Sequence, residues 1–307
     1  MLYRTIYISN PFHLSVRNEH IVLDPKDEGL RGGELTAEDV GFLVLDHPSI
    51  TFSLAVIELC ARHNVAVIFC GKTYMPSSML FHLDTHGVQS ERFRAQLEAS
   101  EPLRKQLWAQ TIKAKIRNQA GLLGHLGNDA SDIEALARQV KSGDGDNHEA
   151  QAARRYWPRL LGPGFVRERH GAPPNHALNY GYTILRAGVA RALCGRGLFP
   201  LLGIHHQNRY NHFALADDIM EPYRIWVDYL IVRLMRSGSL PDELDRVSKA
   251  ELLKVLTMDV CMDGQLTNLM QSLDLTATSL AQCFEGQLSK LRYPDFLETT
   301  RKQAEEE

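Results

Sequence analysis

The hydrophobic pattern of this chain changes its period near residue 75, and that change limits the folds open to it. Before this point, short runs such as Thr5–Ile8 and Val65–Phe69 are rich in β-branched and aromatic residues, as strands are. Beyond residue 90, apolar residues recur at the spacing of a helix face. Separate blocks of strands and helices predict an α+β fold, with a small, mainly β domain at residues 1–75 and a larger all-α domain at residues 91–295.

Two segments outside these domains lack a regular pattern. Residues 76–90 begin with Pro-Ser-Ser, and we predict a linker there. Residues 296–307 end in the charged run Arg-Lys-Gln-Ala-Glu-Glu-Glu, and we expect a disordered tail.

Composition narrows the classes of function. The net charge is −3, so a surface that binds nucleic acid must be a local basic patch. The five cysteines include no Cys-x-x-Cys pair, which indicates reduced residues rather than zinc ligands or disulfides. The first residues lack a signal-peptide run, and charged residues interrupt the most apolar stretch. We therefore expect a cytoplasmic protein without a membrane span.

Residue types that bind metals are dense between positions 203 and 224. The set comprises three histidines and three acidic residues, which are His205, His206, His212, Asp217, Asp218 and Glu221. We interpret this stretch as half of a divalent-metal site. A histidine pair alone more often joins a hydrogen-bond network, so the interpretation depends on the nearby carboxylates. One imidazole with carboxylate oxygens suits Mg²⁺ or Mn²⁺ better than a zinc site built from thiolates.

Asp218 and Glu221 have two interpretations. Three residues apart on a helix, they lie on one face and can share an ion. Pro222 fits only the first turn of a helix, so the pair marks a helix start. At a helix start, Asp218 can equally be the cap, with Glu221 reaching back in a capping box. Spacing alone favours the cap.

Glu149 is the candidate for the missing ligand. It begins a predicted helix that runs to Leu161, and small neighbouring residues leave room for a ligand. A carboxylate in the first turn of a helix also interacts favourably with the helix dipole, and the local sequence alone favours that interpretation.

Basic residues interleaved with aromatic ones follow Glu149 and suit the binding of DNA phosphates. These predicted DNA-binding residues are Arg154, Arg155, Arg159, Arg167 and Arg169. A second basic group spans residues 104–117, and a solvated helix face explains it equally well.

Several segments, taken in order, resemble one protein family. They are Val40–Pro48 followed by Asn64–Phe69, then Asn147–Ala153, Asn175–Tyr182 and Gly203–Arg224. Together they resemble the CRISPR-associated adaptation integrases, the first-numbered Cas protein, in the short form of type II systems. The resemblance covers nearly the whole chain.

The resemblance implies a catalytic role for particular residues. Glu149, His206 and Glu221 match the family's metal-binding catalytic residues, with Mg²⁺ or Mn²⁺ as the cofactor. Asp218 matches a companion acid that binds the metal in some members. His205, Asn179 and Tyr180 match supporting positions.

The implied function is that of a metal-dependent DNA endonuclease and integrase in CRISPR spacer acquisition. The 3′-hydroxyl of spacer DNA attacks a phosphodiester at the border of the CRISPR repeat. The implied partners are DNA, a second copy of the chain bound through the β-domain, and a dimer of the second-numbered Cas protein that bridges two homodimers. Type II effector proteins are a further candidate partner.

Two alternatives stay open at this point. The same residues would serve a general metal-dependent nuclease that acts on branched DNA. They are also compatible with a non-catalytic DNA-binding scaffold whose acidic residues only cap helices.

Overall fold

A computed structural model describes residues 4–72, 74–80, 86–206 and 208–306. The chain forms two compact units, Met1–Gly87 and Val88–Glu307, which divide inside the predicted linker. Positions 81–85 of that linker lie outside the described residues.

The first unit contains two four-stranded sheets. Its elements are β1 (Arg4–Ile8), β2 (Phe12–Arg17), β3 (His20–Pro25), β4 (Gly33–Thr36), β5 (Val40–Leu45), β6 (Thr51–Phe52), α1 (Leu54–Arg62), β7 (Ala66–Cys70) and β8 (Pro76–Leu80). One sheet has the order β1-β5-β7-β8, in which only β8 runs antiparallel to its neighbour. The other has the order β4-β3-β2-β6.

The apolar pattern explains the centre of the first sheet. All six residues of β5 are buried, as expected for a parallel strand that is covered on both faces. Residues of both sheets and of α1 pack together in one hydrophobic core of this unit. Leu14, Leu43, Val56 and Leu59 belong to it, and each is no more than 1% exposed. The predicted linker of residues 76–90 is wrong at its start, because Pro76–Leu80 form β8, which pairs with β7.

The second unit is helical apart from one hairpin. Its elements are α2 (Gln89–Leu97), α3 (Glu101–His125), α4 (Ser131–Gln139), α5 (His148–Leu161), α6 (Asn175–Gly195), α7 (Ala214–Met220), α8 (Arg224–Arg236), α9 (Arg246–Leu253), β9 (Asp259–Met262), β10 (Gln265–Asn268), α10 (Leu269–Phe284) and α11 (Phe296–Glu306). Most of the second half of α3 is buried, and α3 contacts α4, α5, α8 and α11. Along the described residues, no helix is long and apolar enough to cross a membrane.

The predicted α+β class is confirmed, with two local corrections in the second unit. The domain predicted as all-α at residues 91–295 contains one strand pair, because the residues before α10 pair in the hairpin of β9 and β10. The disordered tail predicted at 296–307 is wrong for its described part, since α11 covers it. Phe296 and Thr299 are no more than 2% exposed, so burial of these side chains orders the segment. Position 307 lies outside the described residues.

Candidate active site

Glu149 lies in the first turn of α5, where the preceding loop holds the backbone. Asn147 adopts a left-handed conformation with φ of 55°, and its side chain accepts a hydrogen bond from the Ala150 amide at 3.2 Å. Asp144 accepts from the amides of His148 and Glu149, both at 3.0 Å. Asn147 and Asp144 thus satisfy amides of the first turn. Oε1 of Glu149 lies 2.5 Å from Nζ of Lys115.

Glu221 begins the 3₁₀ turn Glu221–Tyr223, which joins α7 to α8. Its side chain is 6% exposed. Oε1 lies 2.8 Å from Nη2 of Arg224, and Oε2 lies 2.6 Å from Nζ of Lys115. Burial raises the pKa of Glu221, but Arg224 and Lys115 outweigh this effect and lower the pKa to about 2. The carboxylate is therefore ionised although it is buried.

Lys115 joins the two acids. It extends from α3, and its Nζ contacts one oxygen of Glu149 and one of Glu221. Burial acts to lower the pKa of Lys115, but Glu221 and Glu149 raise it above its usual value. The two carboxylates thus converge on one cation.

His206 is held by Asp218 rather than by the other acids. The Asp218 side chain is completely buried, and its Oδ2 accepts a hydrogen bond from the His205 amide at 2.9 Å. Its Oδ1 accepts from the His206 amide at 3.3 Å and contacts Nδ1 of the His206 ring. Asp218 raises the pKa of His206 through this contact. Because Nδ1 faces Asp218, Nε2 is the nitrogen left to bind a ligand.

The loop that carries His206 needs glycine at position 203. A Cβ at Gly203 would lie 2.4 Å from the carbonyl oxygen of His206 and 2.8 Å from Oδ2 of Asp218. The glycine therefore lets the backbone close around the Asp218 carboxylate.

Other polar residues of this stretch have structural roles. The His205 ring stacks on Trp108, with ring centroids 4.1 Å apart, and burial lowers the pKa of His205. Asp217 accepts from Nε of Arg186 at 2.6 Å and from Asn211 at 2.8 Å. His212 is exposed.

The capping-box interpretation of Asp218 and Glu221 is wrong. Asp218 lies inside α7, and neither the 3₁₀ turn nor α8 has a side-chain cap. The two acids do not share a cation either, since Asp218 binds the His206 loop while Glu221 binds Lys115 and Arg224. Pro222 is accommodated because it begins the short turn.

The predicted ligands form two groups in this structure. Glu149 and Glu221 meet at Lys115, and His206 meets Asp218. Within the part of the chain that is described, no three His, Cys, Asp or Glu side chains lie together as a group that could hold a metal ion. Glu221 and Glu149 nonetheless add to the effect of Asp218 in raising the pKa of His206.

A cavity of about 200 Å³ adjoins the two carboxylates. Its lining residues are Lys115, Gln119, Glu149, Ala153, Trp157, Arg167, Tyr182, Glu221, Arg224, Ile225 and Asp228. The guanidinium groups of Arg224 and Arg167 lie 4.7 and 5.3 Å from the centre of the Tyr182 ring. The lining therefore includes three cationic side chains, Lys115, Arg167 and Arg224, whose charge suits a phosphate group, beside three carboxyl groups.

Asn179 and Tyr180, the predicted supporting residues, have different surroundings. Asn179 accepts from Arg167 Nη2 at 2.8 Å and donates to the Arg169 carbonyl at 2.6 Å, so it holds the basic loop. The Tyr180 side chain is fully buried and packs against Lys249, outside the cavity lining. Tyr182, two positions later, lines the cavity instead.

The predicted DNA-binding arginines differ in exposure and pairing. Arg155 and Arg159 are paired with Asp132, at 3.4 and 2.6 Å. Arg154 and Arg169 are exposed, whereas Arg167 is half-buried and bonded to Asn175 and Asn179.

Sequence reasoning gave no role in the metal site to Lys115, Tyr182, Arg224 or Asp228, all of which line the cavity. Lys115 belongs to the second basic group, for which phosphate binding and a solvated helix face were equally good explanations. Asn175, Asn179 and Tyr182 follow one another at helical spacing along α6, and that pattern could have identified the tyrosine. No pattern in the neighbouring sequence identifies Lys115 or Asp228 as a residue of the site.

The buried carboxyl of Asp228 gives a pH-dependent prediction. It accepts a hydrogen bond from the Tyr156 hydroxyl at 2.7 Å and another from Tyr182. Burial raises its pKa from 3.8 to about 6, although both tyrosines and Arg224 act to lower it. The folded protein then retains this proton while the unfolded chain loses it, so stability falls as pH rises from about 4 to about 6.

We expect the free energy of unfolding of Asp228→Asn to fall less with pH than that of the original protein, by about 3 kcal/mol. A difference of about two pKa units between the folded and unfolded states corresponds to this free energy. Urea denaturation between pH 4 and pH 7 measures it. Asp242→Asn, at an exposed position, is the control and should leave the pH dependence unchanged. Parallel curves for Asp228→Asn and the original protein would contradict the prediction.

Comparison with known proteins decides the family. A family model described as CRISPR associated protein Cas1 matches residues 6–257. The chain belongs to the Cas1 family. A protein of Neisseria meningitidis serogroup C (strain 8013), named CRISPR-associated endonuclease Cas1, is 32% identical over 300 residues, or 97% of each chain. The family predicted from the sequence is therefore confirmed.

Solved structures show that the fold is shared with Cas1 proteins. A chain from a complex named Cas6-RT-Cas1–Cas2 has a TM-score of 0.72 and 20% identity, over 94% of this chain and 36% of that longer one. A structure described as "Casposase bound to integration product" has a TM-score of 0.79 and 20% identity, over 97% of this chain and 93% of the casposase.

Proposed function

We propose that this Cas1-family chain is a metal-dependent DNA endonuclease and integrase of CRISPR spacer acquisition, in the form found in type II systems. The observation that carries the proposal is the convergence of Glu149 and Glu221 on one cation, beside a cavity lined by basic side chains. The names of the relatives support it, since one is a CRISPR-associated endonuclease and another is a casposase bound to an integration product.

The chemical types of the donor atoms suit a divalent metal ion, although this structure divides them into two groups. Glu149 and Glu221 offer carboxylate oxygens, and His206 offers Nε2 with its ring held by Asp218, which is the usual support for a metal-binding histidine. Oε2 of Glu221 is buried, and its described partner is the cationic Nζ of Lys115, which lies 2.6 Å away. Oxygen ligands with one imidazole suit Mg²⁺ or Mn²⁺. A divalent ion bound there would neutralise the attacked phosphodiester and lower the pKa of the attacking hydroxyl.

The side chains around the cavity position the DNA for strand transfer. Arg167 and Arg224 are fixed by hydrogen bonds and ion pairs, so they can hold phosphate oxygens without much loss of side-chain entropy. The 3′-hydroxyl of one DNA end then attacks a phosphodiester of the repeat, and one phosphodiester replaces another. This exchange needs no nucleotide cofactor.

An integration assay tests the proposal. The substrates are a supercoiled plasmid carrying a CRISPR repeat and a duplex fragment with either 3′-hydroxyl or 3′-deoxy ends, with Mn²⁺ or EDTA. We expect joined products only with 3′-hydroxyl ends and Mn²⁺. Cleavage of branched duplexes without any joining would favour a general nuclease, and no Mn²⁺-dependent reaction at all would favour a non-catalytic scaffold.

The proposed partners are a second copy of the chain, bound through the β-domain, and a Cas2 dimer that bridges two homodimers. One structural neighbour comes from a complex whose name includes both Cas1 and Cas2, which supports the second of these. Type II effector proteins are proposed as further partners in choosing the spacer. Light scattering on the chain alone, and then with Cas2, measures these assemblies; a monomer that does not change with Cas2 would contradict them.

The exposed arginines give a prediction about DNA binding. Replacing Arg154 and Arg169 with Ala should weaken binding of duplex ends and reduce the slope of log affinity against log salt by about 1 per lost phosphate contact. Arg155→Ala with Arg159→Ala is the matched control and should change the slope less, because Asp132 already neutralises part of their charge. Fluorescence anisotropy between low and high salt measures both. Equal slopes in the original protein and both variants would argue against the basic patch.

A further inference from the structure

Lys115 occupies the position where the proposed function places a metal ion. Its Nζ lies 2.5 Å from Oε1 of Glu149 and 2.6 Å from Oε2 of Glu221, and its side chain is 11% exposed. Two carboxylate oxygens this close to one nitrogen are close to each other, and they repel unless a cation separates them. The ammonium group of Lys115 contacts both carboxylates and so reduces the repulsion between them.

The charges of this cluster balance without a divalent ion. Lys115 and Arg224 carry two positive charges, and Glu149 and Glu221 carry two negative ones. A divalent ion added while Lys115 stayed in place would leave two positive charges uncompensated where the dielectric constant is low. Lys115 and a divalent ion therefore compete for the same two oxygens.

We propose that Lys115 holds the cation position between Glu149 and Glu221 in the DNA-free protein and leaves it when a divalent ion binds. This inference rests on the proposed function, because it takes the two acids as metal ligands. Lys115 also lines the cavity together with Arg167 and Arg224, so a DNA phosphate bound there gives the displaced ammonium a new partner. Lys115 is then a positioning residue that makes metal binding and phosphate binding strengthen each other.

Mn²⁺ binding to the full-length, DNA-free protein tests the competition. Free Mn²⁺ is measured by electron paramagnetic resonance for the original protein, Lys115→Met, Lys115→Arg and Lys113→Met. The Met side chain keeps much of the volume of lysine and removes its charge. We expect Lys115→Met to bind Mn²⁺ at least about 10-fold more tightly, the tenfold step corresponding to 1.4 kcal/mol. Lys115→Arg, which restores a cation, and Lys113→Met, on the same helix, should stay within about threefold of the original protein.

Thermal denaturation gives a second reading of the same variants. Lys115→Met should have a lower melting temperature than the original protein in EDTA and recover most of the loss in Mn²⁺, because the ion takes over the role of the ammonium. If Lys115→Met is unfolded in EDTA, recovery of its circular dichroism on addition of Mn²⁺ supports the proposal equally. Failure to fold in both conditions, or Mn²⁺ affinity no higher than in the original protein, overturns it.

DNA provides the test of coupling. A duplex with 3′-deoxy ends should tighten Mn²⁺ binding more in the original protein than in Lys115→Met, where no ammonium needs a new partner. Equal tightening in the two proteins overturns the coupling. If no variant binds Mn²⁺, the proposed metal dependence itself is overturned. If Lys115→Met binds Mn²⁺ more tightly but the original protein carries out no strand transfer, only the proposed function is overturned.

Discussion

Replacing Glu149 with Gln should slow strand transfer at least about 1,000-fold, while binding of DNA ends stays within about threefold of the original protein. The amide removes the negative charge on one of two carboxylates that converge on a single cation. Charge stabilisation by a bound metal ion is worth several kcal/mol in the transition state, and about 4 kcal/mol corresponds to 1,000-fold. Single-turnover joining of a labelled duplex to a repeat-bearing plasmid in Mn²⁺ measures the rate, and anisotropy measures binding.

His206→Ala should have a similar effect, because it removes the Nε2 that Asp218 orients. Glu134→Gln is the matched control, because the Glu134 carboxylate is exposed and pairs with Arg138 on the same helix; this change should not affect the rate. Strand transfer that persists in Glu149→Gln and His206→Ala would contradict the assignment of these residues as catalytic metal ligands. A parallel loss of DNA binding would instead indicate that they contact DNA without taking part in the reaction.

Replacing Asp218 with Asn should weaken Mn²⁺ binding and slow strand transfer, each by about 10- to 100-fold. Asp218 is buried and accepts two backbone hydrogen bonds besides its contact with the His206 ring. Asn keeps the size of the side chain but lacks the negative charge that holds the proton on Nδ1 of His206. Nε2 of His206 is then unprotonated, and able to bind a metal ion, for a smaller fraction of the time. The pKa of His206 should fall in Asp218→Asn, since the contact with Asp218 is what raises it.

Mn²⁺ titration calorimetry and a histidine NMR titration measure these effects. Asp217→Asn, one position earlier on the same helix, is the control, because Asp217 pairs with Arg186 and Asn211 rather than with His206. An unchanged His206 pKa would show that Asp218 does not position the ring. Loss of Mn²⁺ binding as complete as in Glu149→Gln would indicate that Asp218 binds the ion directly.

Local chemistry accounts for the elements that the sequence predicted well. The helix that carries Glu149 begins within one residue of its predicted start and ends at the predicted Leu161. Capping and helical spacing act within a few residues, so one short segment contains the whole signal. The tail was predicted wrongly because its charged composition gives no indication that Phe296 and Thr299 would be buried by another part of the unit.

The same distinction applies to the site. The sequence by itself determined which segments carry Glu149, His206, Asp218 and Glu221, and the order of these segments was enough to identify the family. Only the tertiary structure decided that Asp218 serves His206 and that Lys115 joins the two glutamates. Residue spacing shows which side chains share a helix face, but it does not show which faces meet. Lys115 lies on α3, Glu149 on α5 and Glu221 after α7, so their contact depends on how these elements pack.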